Sequence, residues 1–255
     1  MTLVTSDGIL LRSHEYSESS RIFRFLTPDL GIVSLIGRGV KKRGARGETP
    51  IQTFSEGSLT FLYRPSRDLH TLREFQTQED SLALGRGIQR FFGASLVAEL
   101  LLQYNLEEGD PALYRWVREV FLRLATVRES EVLGWTLSGG WRTLAQLGFP
   151  PRLSHCVRCD VALGDLGEEA VEELHRFDLS AGGLSCTACS SDSGLPRVGP
   201  EARHDLALLV EGKPPSELRG EDAHISILEG YAMHHLEPRE RFRSFATLRS
   251  TLSEM

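Results

Sequence analysis

Four cysteines form two CxxC pairs, Cys156-Val157-Arg158-Cys159 and Cys186-Thr187-Ala188-Cys189, with 26 residues between them. Thiolates set apart by a two-residue spacer reach the same side of one metal ion. Two such pairs complete the tetrahedral shell that Zn²⁺ prefers. The gap is longer than the usual zinc-ribbon range, so a small hairpin or turn is expected inside it. Disulfides, a redox role and an iron–sulfur cluster are the competing readings. The chain opens Met1-Thr2-Leu3-Val4-Thr5-Ser6-Asp7, without the basic and apolar regions of a signal peptide. A cytosolic protein is therefore expected, with its thiols reduced, and that favours metal. A saturated Cys₄ shell has no open position for water, so one structural zinc per chain is expected, not a catalytic one.

A zinc finger that reads DNA needs a basic helix. Residues 153–192 carry eight acidic residues against two basic ones, which argues against direct nucleic-acid readout there. The cationic stretch lies far upstream, in Gly37-Arg38-Gly39-Val40-Lys41-Lys42-Arg43-Gly44-Ala45-Arg46-Gly47. Five of these eleven residues are basic, four are Gly and none is acidic. Glycines let backbone approach a phosphate chain closely. The cations supply the counterion-release term that dominates non-specific nucleic-acid affinity. Net charge is −6 overall, but residues 1–79 hold 11 Lys+Arg against 9 Asp+Glu and the remainder 18 against 26. The N-terminal region is thus the part suited to an anion.

Five short strands are expected to carry that loop. Arg21–Leu26 and Ile32–Ile36 flank Thr27-Pro28-Asp29-Leu30-Gly31, a hairpin-turn composition. Leu59, Phe61 and Tyr63 alternate with Thr60, Leu62 and Arg64, a period of two. With an apolar run from Ile9 and a last strand over Leu69–Phe75, these make a small antiparallel barrel. Its strand count fits an OB-fold, a common oligonucleotide binder, and equally an SH3-like barrel. From about Ser81 the period becomes helical. Leu113, Trp116, Val117, Val120, Phe121 and Leu124 form one amphipathic face behind Asp110 as N-cap and Pro111. Further helices are expected from Glu131, over Pro200–Glu211, around Ile225–Leu236 and at the C-terminus. Gly139-Gly140 predicts a kink or a close helix crossing in the first of these. The expected fold is α+β: an N-terminal five-stranded OB-fold barrel over 1–79, then an α-helical domain over 80–255 with the Cys₄ module, 153–192, inserted.

Catalytic motifs are missing. There is no GxxxxGK[ST] and no HExxH, and the eight histidines are scattered. His155 adjoins Cys156 as a substitute ligand, and His234-His235 should place one ring in a core and one in solvent. A zinc nuclease or deaminase needs an open metal position and a Glu acting on bound water, which four cysteines do not leave. No apolar run approaches the ~18 residues that span a bilayer.

In this order the parts resemble the bacterial recombination-mediator family RecO. The resemblance covers essentially the whole chain. It is carried by Gly37-Arg38-Gly39-Val40-Lys41-Lys42 with Pro50, Phe54 and Leu59, by Thr71-Leu72-Arg73-Glu74 and Leu147-Gly148-Phe149, by Phe177-Asp178-Leu179 with Gly182-Gly183, and by Arg243-Ser244. It implies a non-enzymatic, nucleoid-associated DNA repair and recombination factor. Such a factor binds single- and double-stranded DNA, anneals complementary strands and helps load RecA together with RecR and single-stranded DNA-binding protein. The family's basic loop maps onto Arg38, Lys41, Lys42, Arg43 and Arg46, with Arg73 as a further DNA contact. Some members lack the cysteines, so zinc marks a subset. The alternative is a zinc-containing protein–protein adaptor whose barrel takes an acidic partner and no DNA.

Overall fold

A computed structural model describes residues 1–38, 51–78, 84, 87–164, 174–190 and 194–253. They divide into two compact units, Met1–Thr126 and Val127–Met255.

In the first unit five strands close into a barrel: β1 (Thr2–Glu15), β2 (Ser20–Thr27), β3 (Gly31–Arg38), β4 (Glu56–Tyr63) and β5 (Leu69–Thr77), in the order β1-β2-β3-β5-β4. Alternation along each strand sends Leu10, Phe23, Phe25, Val33, Leu35, Leu59 and Phe61 inward to one core. β3 pairs with β5 in parallel, which a run of simple hairpins cannot produce. This closure distinguishes the fold from a plain meander, and the barrel is an OB-fold. Two ladders are irregular. Leu10 faces Phe25 and Arg12 faces Arg24, so Leu11 is an extra residue in β1. Thr60 faces Glu74 and Phe61 faces Leu72, so Arg73 is an extra residue in β5.

Two helices, α1 (Ile88–Tyr104) and α2 (Pro111–Thr126), belong to the same unit as the barrel. Asp110 caps α2 as its spacing predicts, accepting from the amides of Ala112 and Leu113 at 2.8 and 3.0 Å. All six residues of the apolar face of α2 are buried. Glu56 of β4 accepts from Nε of Arg118 at 2.8 Å through each oxygen, and from the Tyr114 hydroxyl at 3.2 Å. The α1–α2 connection docks on the β2–β3 turn, where Ile32 donates to the Leu106 carbonyl at 2.8 Å. Gly31 has a φ of +63° there, and a Cβ would lie 2.4 Å from that carbonyl oxygen. Only glycine tolerates both conditions. These two helices extend the compact unit well past the end of β5.

The second unit holds α3 (Val132–Gln146), α4 (Pro200–Glu211), α5 (Glu221–Leu236), α6 (Arg243–Ser253) and a small sheet, β6 (His175–Asp178), β7 (Gly183–Ser185) and β8 (Arg197–Val198), ordered β7-β6-β8. Gly139 and Gly140 are buried within an unbroken α3. The helix crosses α4 closely, and Ser138 donates to the Leu209 carbonyl at 2.8 Å. Trp141, Phe177 and Tyr231 pack ring against ring at 5.1–5.9 Å, so β6 is anchored in the helical core. Burial pushes the Tyr231 phenol up to about 12.

His224 of α5 is 3% exposed. Burial pushes its pKa down and Asp205 opposes this only in part. His235 shifts the same way, through burial and then the neighbouring His234. Below the unfolded pKa of ~6.5 the unfolded chain takes up protons that the folded chain refuses. Stability is therefore full above that pH and is lost on acidification. The urea midpoint of this unit should be lower at about pH 5.5 than at about pH 7.5, with a flatter profile in His224→Gln. Equal midpoints in the wild type would contradict this.

Candidate metal centre and nucleic-acid interface

Each CxxC pair sits on a tight backbone knuckle. In the first, the Cys156 amide donates to Val161 and the Asp160 amide returns to the Cys156 carbonyl at 3.0 Å. Asp160 takes a φ of +62° to close it, a conformation Asp accepts more readily than most residues. In the second, Cys189 donates to the Cys186 carbonyl at 3.1 Å. Between the pairs lies the expected hairpin, β6–β7.

The four Sγ atoms lie within 4.8 Å of one another, and Cys159 and Cys186 are 3.7 Å apart. A tetrahedron with ~2.3 Å Zn–S bonds has edges of about 3.8 Å, so the donor set fits a Cys₄ metal site. The amides of Arg158 and Cys186 also point at Cys156 Sγ, at 3.4 and 3.3 Å. Such donors stabilise a metal-bound thiolate. Burial opposes ionisation of Cys156, but the amides of Cys186, Cys159 and Arg158 outweigh it and bring its pKa down to about 6. Cys189 is pushed up to about 12 by sharing hydrogens with Cys159 and Cys186. Four thiolates repel one another, and a dication removes that conflict. All four cysteines are free of disulfides. His155 is exposed and bonds Ser154, outside the cluster.

Two side chains to which the sequence assigns no part in the cysteine cluster hold it in place: Arg203, and Asp178 of the Phe177-Asp178-Leu179 stretch. Asp178 is 2% exposed. One carboxylate oxygen caps the β6–β7 turn through the amides of Ser180 and Ala181, and the other takes Nε and Nη2 of Arg158 at 3.1 and 2.7 Å. Burial would raise the pKa of this acid, but the Ala181 amide, the Ser180 hydroxyl and Arg158 hold it below the usual range. Arg203 of α4 is 4% exposed and donates to the carbonyls of Leu153, Leu163 and Gly164 at 3.2, 2.5 and 2.8 Å. It thus staples both ends of the first knuckle. Arg203→Met strands those carbonyls and should cost on the order of 3 kcal/mol. Urea unfolding checks this, and release of bound metal to a chelator should quicken. A wild-type midpoint would exclude the staple.

In the barrel, Arg38 is exposed at the end of β3. Arg73 is exposed as the bulge residue of β5, a device that re-aims a side chain. Lys41, Lys42, Arg43 and Arg46 lie outside the described residues. No helix among the described residues is long and apolar enough to cross a membrane.

An OB barrel followed by a helical unit with a four-cysteine cluster that could hold a metal ion defines an α+β class of protein, its barrel of a type that often binds oligonucleotides or oligosaccharides. Comparison with known proteins narrows the class. The chain matches the family models "Recombination protein O N terminal" over residues 1–79 and "Recombination protein O C terminal" over residues 86–213. Over 242 residues it is 27% identical to DNA repair protein RecO of Nocardioides sp., covering 92% of this chain and 95% of that one. It is 32% identical over 200 residues to DNA repair protein RecO of Rubrobacter xylanophilus, covering 76% and 74%. With the protein of that name from Bacillus subtilis it shares 27% over 192 residues, covering 73% and 69%. The chain belongs to the RecO family of DNA repair proteins. The second family match ends at Lys213, so α5 and α6 lie beyond it.

Proposed function

We propose that this chain is a non-enzymatic recombination mediator of the bacterial cytoplasm, associated with the nucleoid. In this reading it binds single- and double-stranded DNA and anneals complementary strands. With RecR and single-stranded DNA-binding protein it helps load RecA. The observation that carries the reading is an OB barrel whose third strand ends in exposed Arg38, at the head of the Gly/Lys/Arg-rich run. The barrel over 1–79 supplies the DNA contacts Arg38, Lys41, Lys42, Arg43, Arg46 and Arg73. The helical domain over 80–255 carries the inserted module, 153–192, whose cysteines hold one structural Zn²⁺. Zinc with four thiolates supplies folding energy and no reactive position. The acidic setting of the module assigns it no direct part in DNA contact.

The test is a fluorescence-anisotropy titration of a short labelled single strand with the full chain, followed by the annealing rate of two complementary strands. Binding at ~50 mM salt that weakens steeply with added salt, with faster annealing, supports the reading. Absence of binding at that salt contradicts it and favours an adaptor for an acidic protein.

A further inference from the structure

Phe23 and Phe25 belong to the barrel core, so Arg24 between them stands on the outer face. The extra residue Leu11 advances β1 by one position, which sets Arg12 directly opposite Arg24. Like charges at such a cross-strand pair are destabilising. Arg24 is nevertheless half-buried, with its Nη2 donating to Oδ1 of Asn105 at 2.5 Å and its Nε buried without an acceptor. Asn105 is the left-handed cap that ends α1, so the guanidinium is held in a fixed direction. No carboxylate among the described residues pairs with Arg12 or Arg24. Burial and then Arg12 lower the Arg24 pKa, as expected for a cation that lacks a counterion.

On the same face, β2 and β3 pair Ile22 with Ile36, and Ser20 with Arg38. Four residues of strand, about 13 Å, separate the Arg24 position from that of Arg38. The face thus runs from a cation pair, across an apolar step, to the cation that heads the basic run. One acidic side chain would satisfy the pair alone. A track of this length suits a polymer with anions at intervals and apolar faces between them.

We propose that Arg12 and Arg24 form an anion subsite that holds a backbone phosphodiester of a nucleic-acid strand crossing the outer face of β1–β3. The proposal rests on the DNA-binding reading above. The planar guanidinium forks suit phosphate oxygens, and a bound phosphate turns a repulsive pair into a bridged one.

The experiment uses the full chain with a labelled oligodeoxythymidylate, and polyglutamate as the protein-like competitor. Arg12→Ala should weaken strand binding about tenfold at ~50 mM salt and lower the salt slope by ~0.7. The same variant without DNA should melt above the wild type, because the repulsion is gone. A residue with only a structural role would melt lower. Arg24→Lys keeps the charge and loses the fork, and should fall between wild type and Arg12→Ala in affinity. Arg12→Ala with wild-type affinity and slope overturns the subsite alone. Loss of polyglutamate binding in this variant, with strand binding intact, overturns it in favour of an acidic peptide. A wild type that binds no strand overturns the DNA-binding reading as well.

Discussion

Cys156→Ser is expected to unfold the second compact unit, residues 127–255, and to leave the barrel folded. Structural zinc supplies on the order of 10–16 kcal/mol in small zinc modules, while a whole domain is stable by only about 5–15 kcal/mol. The substitution removes one ligand of four, at the position that is fully buried. It also strands the amides of Arg158 and Cys186, which donate to that sulfur. Loss of several kcal/mol follows, most of the reserve of a typical unit. Removing the metal with a chelator should act alike. The check is hydrogen exchange across a denaturation series, read separately over α3 and α5 of the second unit and over the barrel strands. Metal analysis should return one equivalent of zinc per chain. If metal-free and metal-bound protein melt at the same temperature, the structural role of the site is wrong.

Changing Lys41, Lys42 and Arg43 together to Glu should cut single-strand affinity about 10²- to 10³-fold at ~50 mM salt. Three cations that displace counterions become three anions that repel phosphate, so the salt slope should flatten as well. Melting temperature and far-ultraviolet dichroism should not change, which separates a lost DNA contact from a lost fold. Unchanged affinity would remove the basic run from the DNA-binding surface. It would leave Arg73 of β5 and the outer face of β1–β3 as candidates.

The elements were legible because their signals are local. Alternation in Leu59–Arg64, turn residues at Thr27–Gly31 and the cap at Asp110 each state their element within a few residues, and the structure places β4, the β2–β3 turn and the start of α2 there. The clustering of the four cysteines was legible for the same reason, since each CxxC spacing is itself a local ligand-pair signal. What supports the centre was not. Arg203 meets the first knuckle about forty residues downstream, and Asp178 bonds Arg158 across twenty residues. A charged residue in a helix or strand reads as solvated surface until the fold buries it. Bulges escaped for another reason. A single inserted residue leaves the period of a strand almost intact, yet it decides that Arg12 faces Arg24 and that Arg73 leaves its ladder. Parallel closure of β3 on β5 is a long-range pairing, and strand count alone left two barrel types open.

The central claim is that DNA meets the barrel while the cysteine module acts as a clamp inside the helical unit. Hydrogen exchange of the zinc-loaded chain, with and without a bound oligodeoxythymidylate, tests it most directly. Protection is expected across residues 20–50, with exchange unchanged over 153–164 and 174–190. Protection confined to the Cys156–Cys189 module, with the barrel unaffected, would contradict the account.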